Sequence, residues 1–156
     1  MTFPGVDVSL PDVRGAPVAV DGDDLAREAA LALSQALEMR PFLVPGDRRL
    51  YHASAVMAGN LVTVLLAEAG RVLEAAGVHS DEARAILYPL AQASLANAVD
   101  DPARSLTGPV AREDWGTLQA HREALADAGL DDVIAWVNLL ERAGRRLRAP
   151  RGSPMR

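Results

Sequence analysis

The sequence predicts a mainly α fold: a helical bundle around one long central helix, with a small N-terminal βαβ remnant. Three observations predict it. Hydrophobic residues make up 49% of the chain but aromatics only 4%, most of the apolar residues being Ala, Leu and Val. That mix favours helices packed through small side chains and suits a sandwich or barrel badly. Second, one apolar helical pattern runs from Asp47 to Ala76, about 30 residues or roughly 45 Å of helix. Third, a strand–helix–strand pattern precedes it.

Residues 1–16 are rich in Pro, Gly and Asp and read as an irregular lead-in. Pro17 to Val20 reads as a strand, and Asp23 or Asp24 as the cap of a helix over Leu25 to Met39. Leu25, Ala29, Ala32 or Leu33, Ala36 and Leu37 share one face of that helix. Pro41 to Gly46 reads as a second strand. Two strands alone are marginal, so this unit completes a larger sheet or packs on the helices. Gly77 ends the long helix in the manner of a C′ glycine. Ser80 caps the next helix, which runs to about Val99 with Pro89 as a kink. Asp100 to Asp114 reads as a loop. Asp114 caps a helix over Trp115 to Ala128, Gly129 ends it, and Asp131 opens a last helix to about Leu147. The organisation expected is therefore an α/β remnant at 1–46, a helical dimerisation and substrate domain at 47–148 and a disordered tail at 149–156.

Composition excludes several function classes. The net charge is −5 with pI near 5.1, and no basic stripe is present, so nucleic acid is not an expected partner. The chain has no cysteine, which removes disulfides and thiolate chemistry. All sixteen basic residues are arginines, so neither a Schiff base nor a lysine general acid is available. The N-terminus lacks the regions of a signal peptide, and no run reaches 18 uninterrupted apolar residues. A cytoplasmic protein without membrane association is the expectation.

Two constellations carry candidate chemistry. In YHASAVMAGN, Tyr51 to Asn60, polar residues interrupt a segment that reads as buried. His52, Val56, Asn60 and Thr63 follow i, i+4, i+8, i+11 spacing, which places them on one stripe of an α-helix. His52 and Asn60 lie about 12 Å apart along such an axis. In one reading the stripe faces a cleft, with Asn60 holding a substrate oxygen and His52 acting as acid/base or anchor. In the other, His52 bonds a loop carbonyl and Asn60 satisfies a backbone group or pairs across a dimer. The second constellation is SLTGPVARED, Ser105 to Asp114. Thr107 and Gly108 offer a turn with free N–H groups, Arg112 can bind an anion, and His121 lies two turns beyond Asp114. It reads either as a loop closing over a cleft or as a plain helix–helix connection. The spacing of His52, His79 and His121 fits no metal motif, and GxSxG, GxGxxG and the P-loop are all absent.

The order GAPVAV, helix, RPFLVPG, LYHASAVMAGN opening a long helix, then LTGPVARED before His121, resembles a known family. It is that of the Rossmann-like oxidoreductase-type proteins carrying the domain of unknown function 2520. Their C-terminal half is similar in fold to the helical C-terminal domains of 6-phosphogluconate dehydrogenase, pyrroline-5-carboxylate reductase and ketopantoate reductase. The resemblance spans residues 3–145. It implies an NAD(P)-binding Rossmann domain, in cis or in trans, a small-molecule substrate held in the cleft between the domains, and a homodimer built through the helices. His52 and Asn60 would then be catalytic, and Thr63, Thr107, Gly108, Arg112 and His121 would contact substrate. The chain departs from the pattern twice. The glycine fingerprint of the Rossmann domain is missing. In the KxxxN motif of related dehydrogenases Asn60 matches the Asn, but Val56 stands where the Lys would be, and His52 one turn earlier is the best stand-in. The alternative is a non-catalytic helical homodimerisation or small-molecule-binding module.

Overall fold

The computed structural model describes residues 12–149. Most of the expected lead-in, residues 1–11, and all but Ala149 of the expected tail lie outside the described residues. The fold is mainly α, with two short parallel strands near the N-terminus. The chain divides into two compact units, Met1–Val62 and Thr63–Arg156.

The first unit opens with β1, Pro17–Val20, followed by α1, Asp24–Ala36, and β2, Arg40–Leu43. β1 and β2 pair in parallel, Pro17 opposite Arg40 and Val20 opposite Leu43. The Asp23 carboxylate caps α1 by accepting from the Ala26 N–H at 2.8 Å. α1 ends three residues before the expected Met39, because Glu38 takes a left-handed φ of 53° and starts the turn into β2. The apolar face read from the sequence is turned outward. Ser34 is the buried residue of α1, its hydroxyl donating to the Ala30 carbonyl, while Leu25 and Leu33 are 78% and 61% exposed.

Asp47 then caps α2, Arg48–Val56, accepting from the Arg49 N–H at 2.8 Å. Tyr51 meets Phe42 of β2 edge to face, centroids 5.9 Å apart, which ties α2 to the sheet. The expected long helix exists but is not α throughout. Met57–Leu61 form a π turn, and α3 follows over Val62–Ala75. Arg48–Ala75 is long and apolar enough, by length and composition, to cross a membrane.

In the second unit Gly77, at φ 92°, ends the long helix as expected. α4 spans Ser80–Ala98 with Pro89 inside it. Its cap is His79, one residue before the expected Ser80. The stretch expected to be a loop holds two short helices, α5, Pro102–Ser105, and α6, Gly108–Ala111. Each begins at a proline within its first two positions, where the missing N–H costs nothing, and Asp101 caps α5 through the Ala103 and Arg104 N–H groups. α7, Trp115–Asp127, is capped by Asp114 as expected. A 3₁₀ turn at Asp131–Val133 leads into α8, Ile134–Arg148. The core gathers Leu125, Leu130 and Val133, with Val72, Ile134, Trp136 and Val137 packed on it. Leu118 of α7 and Val110 of α6 are fully buried as well.

Candidate functional site

Of Tyr51 to Asn60, the only residue that is not exposed is Gly59. The segment that reads as buried therefore lies open in the single chain. The Ser54 hydroxyl donates to the Tyr51 carbonyl at 2.7 Å, a local back-bond. His52 and Asn60 are exposed, and neither side chain has a hydrogen-bond partner among the described residues. Among the described residues neither the loop carbonyl for His52 nor the backbone group for Asn60 is present, which leaves pairing across a dimer as the structural reading of Asn60.

The π turn changes the geometry of the stripe. Its i→i+5 bonds put an extra residue into the turn. α-Helical spacing therefore carries from His52 to Val56, but it no longer predicts a shared face for Thr63. Asn60 lies within the π turn and Gly59 beside it. A Cβ on Gly59 would meet nothing within 4 Å, so no close packing among the described residues accounts for that glycine.

The other predicted residues belong to the second unit. Thr107 precedes α6 and makes no side-chain cap, and Gly108 takes φ 78°. Arg112 ends α6, its backbone N–H bonded to the Gly108 and Pro109 carbonyls. The Asp114 carboxylate accepts from the Thr117 hydroxyl at 2.6 Å and its N–H at 3.0 Å. These bonds hold its pKa below the usual carboxylate range, with smaller help from Arg112 and His121. His121 lines a groove of about 680 Å³ between α3, α4, α7 and α8, with Leu65, Val72, Leu87, Leu125 and Trp136 among its neighbours. Thr107, Gly108 and Arg112 are not among its lining residues. The sequence reading missed this groove, whose lining includes the small residues Ala69, Ala76, Ala124 and Ala128.

Two arginine networks join a local pair at helical spacing, Glu68/Arg71 and Glu141/Arg145, to a partner distant in sequence. Arg71 bridges Glu68 and Asp132, linking α3 to the 3₁₀ turn. Arg122 and Arg145 both bond Glu141, and Arg145 stacks 3.6 Å over Trp115. Among the described residues no three His, Asp or Glu side chains gather to hold a metal ion. Nor does the β1–α1 turn fit a dinucleotide. It carries Asp21, Asp23 and Asp24, and the Asp23 carboxylate already occupies the helix N-terminus where a pyrophosphate would sit.

The structure thus defines a mainly α domain with a two-stranded parallel appendage and an exposed, π-turned helix carrying His52 and Asn60. The chain belongs to the family described as domain of unknown function 2520, which matches residues 16–136. It is also similar to a protein named GTP-dependent dephospho-CoA kinase from Halorubrum lacusprofundi, 35% identical over 121 residues. That match covers 78% of this chain and 55% of the relative, so the chain spans about half the relative's length. No solved structure matches the chain.

Proposed function

We propose that this chain is the substrate-binding and dimerisation part of an NAD(P)-dependent oxidoreductase, acting with a nucleotide-binding domain in cis or in trans. The observation that carries the reading is the state of Asn60. Its side chain has no partner among the described residues and stands exposed inside a π turn, a helix distortion frequent at functional sites. In this reading Asn60 holds a substrate oxygen, and His52 supplies or takes the proton for which the chain has no lysine. The sheet supports the same reading. Two strands with exposed leucines on their crossover helix suit a unit that other strands and helices complete. The cofactor belongs to the companion domain, since the β1–α1 turn here does not suit a pyrophosphate. The name of the Halorubrum relative favours a second reading, a nucleotide-linked role with GTP in place of NAD(P).

The test is to co-purify the chain with a nucleotide-binding domain encoded in frame upstream or in the neighbouring gene. NADPH and GTP binding are then titrated by fluorescence, and NADPH turnover is followed over a carbonyl and imine panel. The proposal expects NADPH binding, with His52→Ala and Asn60→Ala each lowering turnover by about 10²-fold at unchanged NADPH affinity. Binding of GTP alone moves the case to the second reading. An assembly that binds neither nucleotide sinks both.

A further inference from the structure

The groove of the second unit has a chemistry of its own. Its volume of about 680 Å³ lies in the range of small-molecule sites, and it opens between helices of one bundle, a common place for them. Alanines, leucines and valines make most of its lining, and its titratable residues are Glu68 and His121. The Glu68 side chain is only 22% exposed. Its Oε2 accepts from Arg71 at 2.5 Å, while its Oε1 has no hydrogen-bond partner among the described residues. Arg71 is not part of the lining, and it shares its charge with Asp132 at 2.9 Å. Among the described residues no arginine lines the groove. An apolar hollow thus holds a carboxylate whose charge is only partly balanced.

We propose that the groove binds a small amphipathic amine, a molecule with an aliphatic or aromatic body and one ammonium head, and that Glu68 anchors the head. Burial of the body along Leu65, Val72, Leu87 and Leu125 supplies the affinity. The charge of the lining selects the head. An ammonium donates to the free Oε1 of Glu68 and pairs with its charge, and a neutral His121 imidazole offers a further acceptor. A carboxylate head would meet Glu68 as a like charge, and an alcohol would forgo the ion pair. The volume selects a small molecule over a partner helix. A helix about 10 Å across would fill the groove with roughly 9 Å of its length. That is less than the roughly 10.5 Å between residues i and i+7 by which helices seat in grooves. The site goes beyond the oxidoreductase reading, since neither His52 nor Asn60 lines it.

The experiment reads the fluorescence of Trp136, which lines the groove, in the full chain carrying Trp115→Phe, so that one tryptophan remains. Three probes share one eight-carbon chain: octylamine, octan-1-ol and octanoate. Each is titrated at neutral pH and constant ionic strength, with far-UV circular dichroism as the fold control. Octylamine is expected to saturate a shift in Trp136 emission with Kd of about 0.1–1 mM, the range for a ligand of so few heavy atoms. It should bind about 10-fold more tightly than octanol, and octanoate more weakly than either. Glu68→Gln should weaken octylamine by about 10-fold and leave octanol unchanged. Arg71→Gln frees Glu68 of its competing cation and should tighten octylamine by about 3-fold, so it carries the test if Glu68→Gln loses helicity. Ala124→Phe narrows the groove and should weaken all three probes by about 10-fold. The absence of a saturable shift, equal affinity for amine and alcohol, an amine preference that survives Glu68→Gln, or indifference to Arg71→Gln overturns the proposal. So does an octylamine affinity that falls as protein concentration rises, which would mean that a second copy of the chain fills the groove. No probe is a nucleotide, so this proposal can fail while the oxidoreductase reading stands, and the reverse.

Discussion

Gly144 offers a prediction whose sign depends on the packing of α6 against α8. Gly144 is buried in α8, and a Cβ built on it would collide with Val110 Cγ1 and approach Leu106 Cδ2 to 3.2 Å. In an open helix Gly→Ala gains about 1 kcal/mol of helix propensity. Here the added methyl overpacks a site whose neighbour is a fully buried, β-branched valine with little rotamer freedom. Overpacking costs about 1–3 kcal/mol, so the net effect of Gly144→Ala is a loss of about 1 kcal/mol. For a unit of this size that is a fall in Tm of about 4–8 °C. Val110→Ala alone should cost about 2 kcal/mol by removing buried methyls. In the double variant the new methyl of residue 144 takes the space left at residue 110, so the losses should not add. A favourable coupling of at least about 1 kcal/mol is expected from the four-variant cycle by chemical denaturation. Stabilisation by Gly144→Ala, together with strict additivity, would refute the contact between α6 and α8.

Three further outcomes follow from the ion pairs, caps and core. Glu141 is held below the usual carboxylate range, chiefly by Arg145 and then Arg122, and Asp132 likewise by Arg71. A carboxylate with a lowered folded pKa contributes stability above its unfolded pKa and loses it as pH falls through the folded one. Urea midpoints measured from pH 7 to pH 3 should therefore drop below about pH 4.5, and Glu141→Gln should flatten that drop. Asp114→Ala removes the acceptor for the Thr117 N–H and should lower Tm by about 4–8 °C, while Asp114→Asn should recover most of it. Leu118→Ala, at a fully buried position, should cost about 2–5 kcal/mol by chemical denaturation.

Two of the caps and the first strand are legible because they are local, while the second strand, expected at Pro41 to Gly46, lies at Arg40–Leu43. Asp23 and Asp114 announce their helices through short side chains that reach three residues ahead, and both do so in the structure, whereas the cap expected at Ser80 falls on His79. β1 is legible to the residue, since Pro17 and Asp21 bracket a purely apolar run. Local signals fail where two similar states compete. Asp100 to Asp114 carries prolines that serve equally as loop residues or as helix starters, and the structure uses them for α5 and α6. The leucines of α1 follow the helical period, but the period does not say which face meets the sheet, and Ser34 takes that place. The candidate site divides the same way. That His52 and Asn60 are singular residues is visible in the sequence, and their exposure is not, because an apolar helix reads alike whether its own chain or another covers it. The groove at His121 needs four helices brought together, which no single stretch encodes.

The π turn has a further consequence, on the scale of genes. Such a turn is an α-helix with one surplus codon, kept because the helix absorbs it by widening rather than by breaking. A relative that lacks the surplus would align with this chain on one side of Met57–Leu61 and slip by one residue on the other. Ungapped alignments through this helix would then pair Asn60 with the wrong neighbour. A search for equivalent asparagines should place a one-residue gap here, and members that have lost the codon should also have lost the reason to keep Asn60.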